Sequence, residues 1–109
     1  MGAYLLLALA IAAEVSATVS LKLSEGFSKL GPSIIVVLGY AVAFIALSYV
    51  LKLGLPIGVA YAVWAAAGVA LVAVIGVLFL KEPLNTAMVI GLVLVIGGVV
   101  LIEVGSATA

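Results

Sequence analysis

One acidic side chain, Glu14, interrupts an otherwise apolar run from Ala3 to Leu21. On a helix it would lie about 3 Å along the axis from the centre of that run. Its side chain is too short to reach water from there. An ionised acidic residue at the centre of a membrane helix costs about 2.5–3.5 kcal/mol to insert, so such a residue is kept where it has a task. The nearest basic residue in sequence, Lys22, is about 12 Å further along the helix. Removing a carboxylate from water with no cation beside it disfavours the charged form. A carboxyl in this position can hold either a proton or a cation. The alternative is a protonated Glu14 that serves only as an interhelical hydrogen-bond donor.

The positions three and four away from Glu14 are Ala10, Ile11, Ala17 and Thr18, with Leu7 one turn further. Small residues there leave volume for a ligand, and Thr18 offers a hydroxyl. Polar-tipped aromatics stand in two other apolar runs. Tyr61 and Trp64 are three apart and share a helix face, and Tyr40 shares one with Phe44. Converging on Glu14, these rings would wall an anionic pocket of the kind that holds lipophilic quaternary cations, ring faces attracting the charge and a carboxylate neutralising it. Tyr and Trp also mark membrane interfaces. Tyr4 and Tyr49 fit that use, and for Tyr61 and Trp64, in the first third of their run, it stands as the alternative. The sequence has no His and no Cys, which excludes zinc sites, thiol chemistry and Ser-His-Asp catalysis. No metal site or cofactor is expected.

The elements that must position these residues follow from composition. Of 109 residues, 69% are hydrophobic and 7% are charged. Globular domains carry about 25% charged residues, so this chain cannot clothe a water-facing surface. Four spans of about 20 residues take roughly 80 positions and leave no room for a soluble domain. Charges and prolines delimit them at about 3–21, 33–51, 57–80 and 87–104, a single four-helix transmembrane domain covering 1–109. The stretch Lys22 to Pro32 reads as a polar connector, with Ser33 helping to cap the second span, and Ser106 to Ala109 reads as a short tail. The first span opens without a basic stretch or a cleavage signature, as a mature span rather than a signal peptide. β-Barrel strands would need alternating polarity, which is absent. The expected class is an all-α membrane protein. With Lys and Arg balanced against Asp and Glu at 4 and 4 and no basic run, nucleic acid is not an expected partner.

Small residues let membrane helices approach closely. The first span supplies Ala10, Ala13, Ala17 and Ser20, and the fourth supplies Gly91, Gly97 and Gly98. Gly91 and Gly98, a heptad apart, suit either a subunit interface or packing within the chain. Four thin helices enclose little polar space, so oligomerisation is expected. Lys22, Lys29 and Lys81 fall on one side of the membrane and Lys52 alone on the other, a bias that only weakly fixes orientation.

Together these residues resemble the small multidrug resistance family. The resemblance is carried by Ala12-Ala13-Glu14-Val15, by Lys22 with Ser24-Glu25-Gly26-Phe27-Ser28-Lys29, and by Pro32-Ser33. Gly39-Tyr40 through Phe44, Pro56-Ile57-Gly58-Val59-Ala60-Tyr61-Ala62-Val63-Trp64, and Gly91 with Gly98 complete it. It covers almost the whole chain in order and spacing. It implies a multi-pass protein of a bacterial inner membrane that works as an antiparallel homodimer. It further implies proton-coupled export of hydrophobic cations, with Glu14 of both subunits shared between protons and substrate, and Tyr61 and Trp64 lining the pocket. The family's guanidinium exporters usually carry a tryptophan two or three residues after the glutamate, where this chain has Ser16 and Ala17. Tyr40 resembles the drug-exporting branch, so bulky aromatic or quaternary ammonium cations are the expected substrates. Two departures stand out. Ala65-Ala66-Ala67-Gly68 lacks a glycine usual after the Trp, and Lys81-Glu82-Pro83-Leu84-Asn85 is closer to the wider drug/metabolite transporter superfamily.

Other readings remain at this stage: a guanidinium exporter of the same family, one subunit of a heterodimeric pair, or a non-transporting membrane assembly protein. A rotary-ATPase proteolipid also carries one membrane carboxylate, but in a later helix and with dense glycine repeats that this chain lacks.

Overall fold

Four long helices account for nearly all of the chain: α1 (Gly2–Leu23), α2 (Leu30–Lys52), α3 (Ile57–Phe79) and α4 (Thr86–Thr108). The computed structural model describes residues 2–108. Each helix has 22 or 23 residues and is long and apolar enough to cross a membrane. At 1.5 Å per residue that length is about 33–35 Å, against a hydrocarbon core about 30 Å thick. The described residues contain no strand. The chain's contacts divide it into two compact units, Met1–Leu55 and Pro56–Ala109.

In the first unit α1 packs along α2. Leu7, Ala10 and Ala17 of α1 and Ala43 and Val50 of α2 are almost completely shielded from solvent. The turn between them is built on Ser24, which is fully buried. Its hydroxyl donates to Leu21 O at 2.7 Å and accepts from Phe27 N at 3.1 Å. Its carbonyl accepts from the backbone of Ser28 and Lys29 and from the Ser28 hydroxyl. These bonds hold Glu25, Gly26 and Phe27 in succession at positive φ, 49°, 74° and 66°. Non-glycine residues pay about 1–2 kcal/mol each for that conformation, and the Ser24 network offsets it. The Glu25–Lys29 ion pair at 3.3 Å joins two exposed side chains and adds little.

The structure departs from the expected connector. α2 begins at Leu30 and runs through Gly31 and Pro32, because proline is accommodated in a first turn where its missing N–H has no intrahelical partner. The N-cap is Lys29, without a side-chain cap, and the Ser33 hydroxyl instead bonds back to Lys29 O at 2.6 Å. α2 ends at Lys52, whose ammonium lies 5.9 Å from the Tyr49 ring centroid. Gly54, at φ 104°, makes the turn that follows.

In the second unit α3 packs against α4. α3 is continuous through Ala65-Ala66-Ala67-Gly68, with Ala66 buried. Leu80 N and Glu82 N both bond to Gly76 O, at 3.1 and 3.0 Å, closing α3 with Lys81 at φ 55°. The Glu82 side chain folds back into the space that a Cβ on Gly76 would occupy. The Asn85 side chain then caps α4, accepting from Met88 N at 2.9 Å. α4 continues past Glu103 to Thr108, so the expected tail is helical from Ser106 to Thr108, and Ala109 lies outside the described residues.

Candidate functional site

Glu14 sits midway along α1, on the side that faces α2. Its Oε1 accepts a hydrogen bond from the Thr18 hydroxyl, one turn on, at 3.2 Å. The Thr18 oxygen in turn lies 2.7 Å from the phenol oxygen of Tyr40 on α2. A threonine hydroxyl has a single proton. With that proton directed to Glu14, the phenol must donate across the helix pair, so donation runs from Tyr40 to Thr18 to Glu14. The other carboxyl oxygen, Oε2, is buried and has no hydrogen-bond partner. A buried polar atom left unmet is costly, and where one persists it calls for a use.

The helix crossing that makes this relay possible is unusually close. A Cβ built on Gly39 would stand 2.8 Å from Ala17 Cβ and 3.0 Å from Ala13 O. Every member of the relay directly follows a member of this contact in sequence: Glu14 after Ala13, Thr18 after Ala17, Tyr40 after Gly39. Of the other residues expected around Glu14, Leu7, Ala10 and Ala17 are buried in the same unit. Phe44, one turn on from Tyr40, is 59% exposed. Ser16, the other hydroxyl near Glu14 in sequence, turns to its own helix and bonds Ala12 O at 2.8 Å.

The second unit carries the aromatic pair. Tyr61 and Trp64 meet edge to face, ring centroids 6.1 Å apart and planes at 87°. Trp64 is buried, and Tyr61 is 64% exposed. On α4 no residue is buried, and a Cβ on Gly91, Gly97 or Gly98 would meet nothing within 4 Å. None of the three glycines is in close contact with α3. Further along, Ala66, Ala67 and Ala70 of α3 leave an open apolar groove against Ile96, Val99 and Val100 of α4.

The sequence model of the Small Multidrug Resistance protein family matches residues 2–95. The chain belongs to the small multidrug resistance family. This family consists of multi-pass proteins of the bacterial inner membrane. Multidrug resistance protein mmr of Mycolicibacterium paratuberculosis is 46% identical over 104 residues, 95% of this chain and 97% of that protein. Quaternary ammonium compound-resistance protein QacE of Escherichia coli is 46% identical over 103 residues, 94% and 93% of the two chains. Multidrug resistance protein EbrB of Bacillus licheniformis is 50% identical over 97 residues, covering 89% and 81%. Small multidrug resistance membership, the four membrane-spanning helices and the membrane location all agree with the sequence reading.

Sequence reasoning named Glu14, Thr18 and Tyr40 but not the bond that joins the last two, which crosses 22 positions. It passed over Gly39 as a packing residue. The signal was present: Ala13 and Ala17 were already a small-residue face, and a glycine midway along the next span is its natural counterpart.

Proposed function

We propose that this chain is a proton-coupled antiporter that exports lipophilic or quaternary ammonium cations, working as an antiparallel homodimer in which Glu14 of both subunits is shared by protons and substrate. The observation that carries this reading is the partnerless Oε2 of Glu14, buried beside an oriented relay. A protonated carboxyl that takes up a monovalent cation releases one proton, leaving an ion pair of the same total charge. Protons and cations then compete for one atom. The names of the relatives, multidrug resistance and quaternary ammonium compound resistance, support cations as cargo. Tyr61 and Trp64 present ring faces to the cation, each worth about 0.5–2 kcal/mol when desolvated. Gly91 and Gly98, open on a helix without buried residues, support a role in pairing with a second copy.

The test is flux in liposomes containing this chain alone. An inward-directed tetraphenylphosphonium gradient is expected to drive protons outward, and lowering the pH is expected to weaken tetraphenylphosphonium binding by competition. Glu14→Gln is expected to abolish binding and proton release while the protein still inserts. Cation affinity within twofold of the parent in Glu14→Gln would refute the shared-carboxylate reading. Flux that appears only when a second chain is supplied would favour the heterodimeric alternative.

A further inference from the structure

The crossing of α1 and α2 accounts for the geometry of the carboxyl group itself. Gly39 brings the backbone of α2 against Ala13 and Ala17, so close that even a methyl at position 39 would collide with Ala17 Cβ and with a backbone carbonyl. One position on, the Tyr40 phenol reaches Thr18 at 2.7 Å and Thr18 reaches Oε1 of Glu14 at 3.2 Å. The result is a carboxyl with two unlike oxygens, one held by a donor chain and one buried without a partner.

We infer that Gly39 is a positioning residue, whose missing side chain lets the Tyr40–Thr18 relay hold Oε1 of Glu14, and that Oε2 is therefore the atom that exchanges proton and cation. The second half of this inference rests on the antiporter reading above. In the exchange the Oε2–H bond breaks, the proton passes to water, and the electron pair stays on a carboxylate that pairs with the incoming cation. Oε1 keeps its bond to Thr18 throughout. A carboxyl held at one oxygen offers the other to both ligands, and hydrogen-bond donors aimed at the held oxygen need no rearrangement when charge appears.

Infrared spectroscopy of the full chain at acid pH reads this directly. The C=O stretch of protonated Glu14 is identified by its loss in Glu14→Gln. With the proton on Oε2, the carbonyl oxygen is Oε1, and a hydrogen bond from Thr18 lowers its frequency. Gly39→Ala is expected to move the band to higher wavenumber and to weaken tetraphenylphosphonium binding roughly three- to tenfold. Tyr40→Phe is expected to move the band the same way, and the pair Gly39→Ala with Tyr40→Phe to move it no further than Tyr40→Phe alone. Ala17→Gly, added to Gly39→Ala, removes the nearest obstructing atom and is expected to return the band toward the parent. That double variant also serves if Gly39→Ala does not fold. An unmoved band in Gly39→Ala, or shifts that add in full with Tyr40→Phe, would overturn the positioning role. Binding lost in both Gly39 variants with the band unmoved would assign the loss to packing alone and overturn it as well. If the parent bound no tetraphenylphosphonium, the exchange at Oε2 would fall with the antiporter reading. The band would still decide the role of Gly39.

Discussion

The phenol of Tyr40 and the hydroxyl of Thr18, on different helices, share a 2.7 Å hydrogen bond whose direction is set by the carboxyl beyond it. This makes Thr18 the middle of a chain rather than an ornament of the pocket. Thr18→Val keeps the shape but leaves both the phenol and Oε1 without a partner. Its cation affinity is expected to fall about tenfold, because bonds to a charged acceptor are the stronger kind. Thr18→Ser keeps the hydroxyl and is expected to stay within about threefold of the parent. Calorimetric titration with tetraphenylphosphonium distinguishes them, and parental affinity in Thr18→Val would remove the relay from the mechanism.

Two glycines face the same substitution with opposite expected outcomes. At Gly76 the atom in the way is the tip of the Glu82 side chain, which can swing out, while alanine gains about 0.5–1 kcal/mol inside a helix. Gly76→Ala is expected to change stability by less than about 1 kcal/mol. At Gly39 the obstacles are Ala17 Cβ and a backbone carbonyl, so the helices must part, and overpacking of that kind costs about 1–3 kcal/mol. Thermal unfolding in detergent ranks the two, and equal losses would contradict this reading of the contacts.

Trp64 tests the substrate class. Its replacement by alanine removes a buried ring that stands edge to face with Tyr61. Binding of an aromatic cation is expected to weaken by about 0.5–2 kcal/mol, with phenylalanine recovering part of it. Guanidinium driving proton flux where tetraphenylphosphonium does not would instead place the chain with the guanidinium exporters.

Orientation gives another measurement. On the antiparallel reading, three lysines in the loops of one side against one on the other are too weak a bias to fix a single insertion. A tag after the last helix is expected to be labelled from both faces of intact cells. A single labelled face in cells that still transport would exclude antiparallel pairing. Two lysines added after Val104, near the end of α4, are expected to favour one orientation and lower activity.

The four spans were legible because composition left no other architecture, and Glu14 because a lone carboxyl in an apolar run has no inexpensive alternative. The start of α2 was hidden by Pro32, which reads as a loop residue unless its place in a first turn is known. Ser24 was hidden for a different reason. Its role depends on positive φ at Glu25 and Phe27, a backbone choice that neither residue type announces. The Thr18–Tyr40 bond requires the register of one helix on another, set by a single missing methyl at Gly39, and no periodicity within one span contains that information.

The turn at Ser24 also bears on how the protein comes to exist. All its hydrogen bonds join residues no more than five apart, so it can close as soon as that stretch leaves the ribosome. The hairpin it organises, α1 and α2, contains Glu14, Thr18, Tyr40 and Gly39. Chains fold from the N-terminal side during synthesis, and contacts near in sequence form first. The carboxyl and its relay thus lie wholly in the half of this sequence that is made first, and their assembly draws on no residue of α3 or α4.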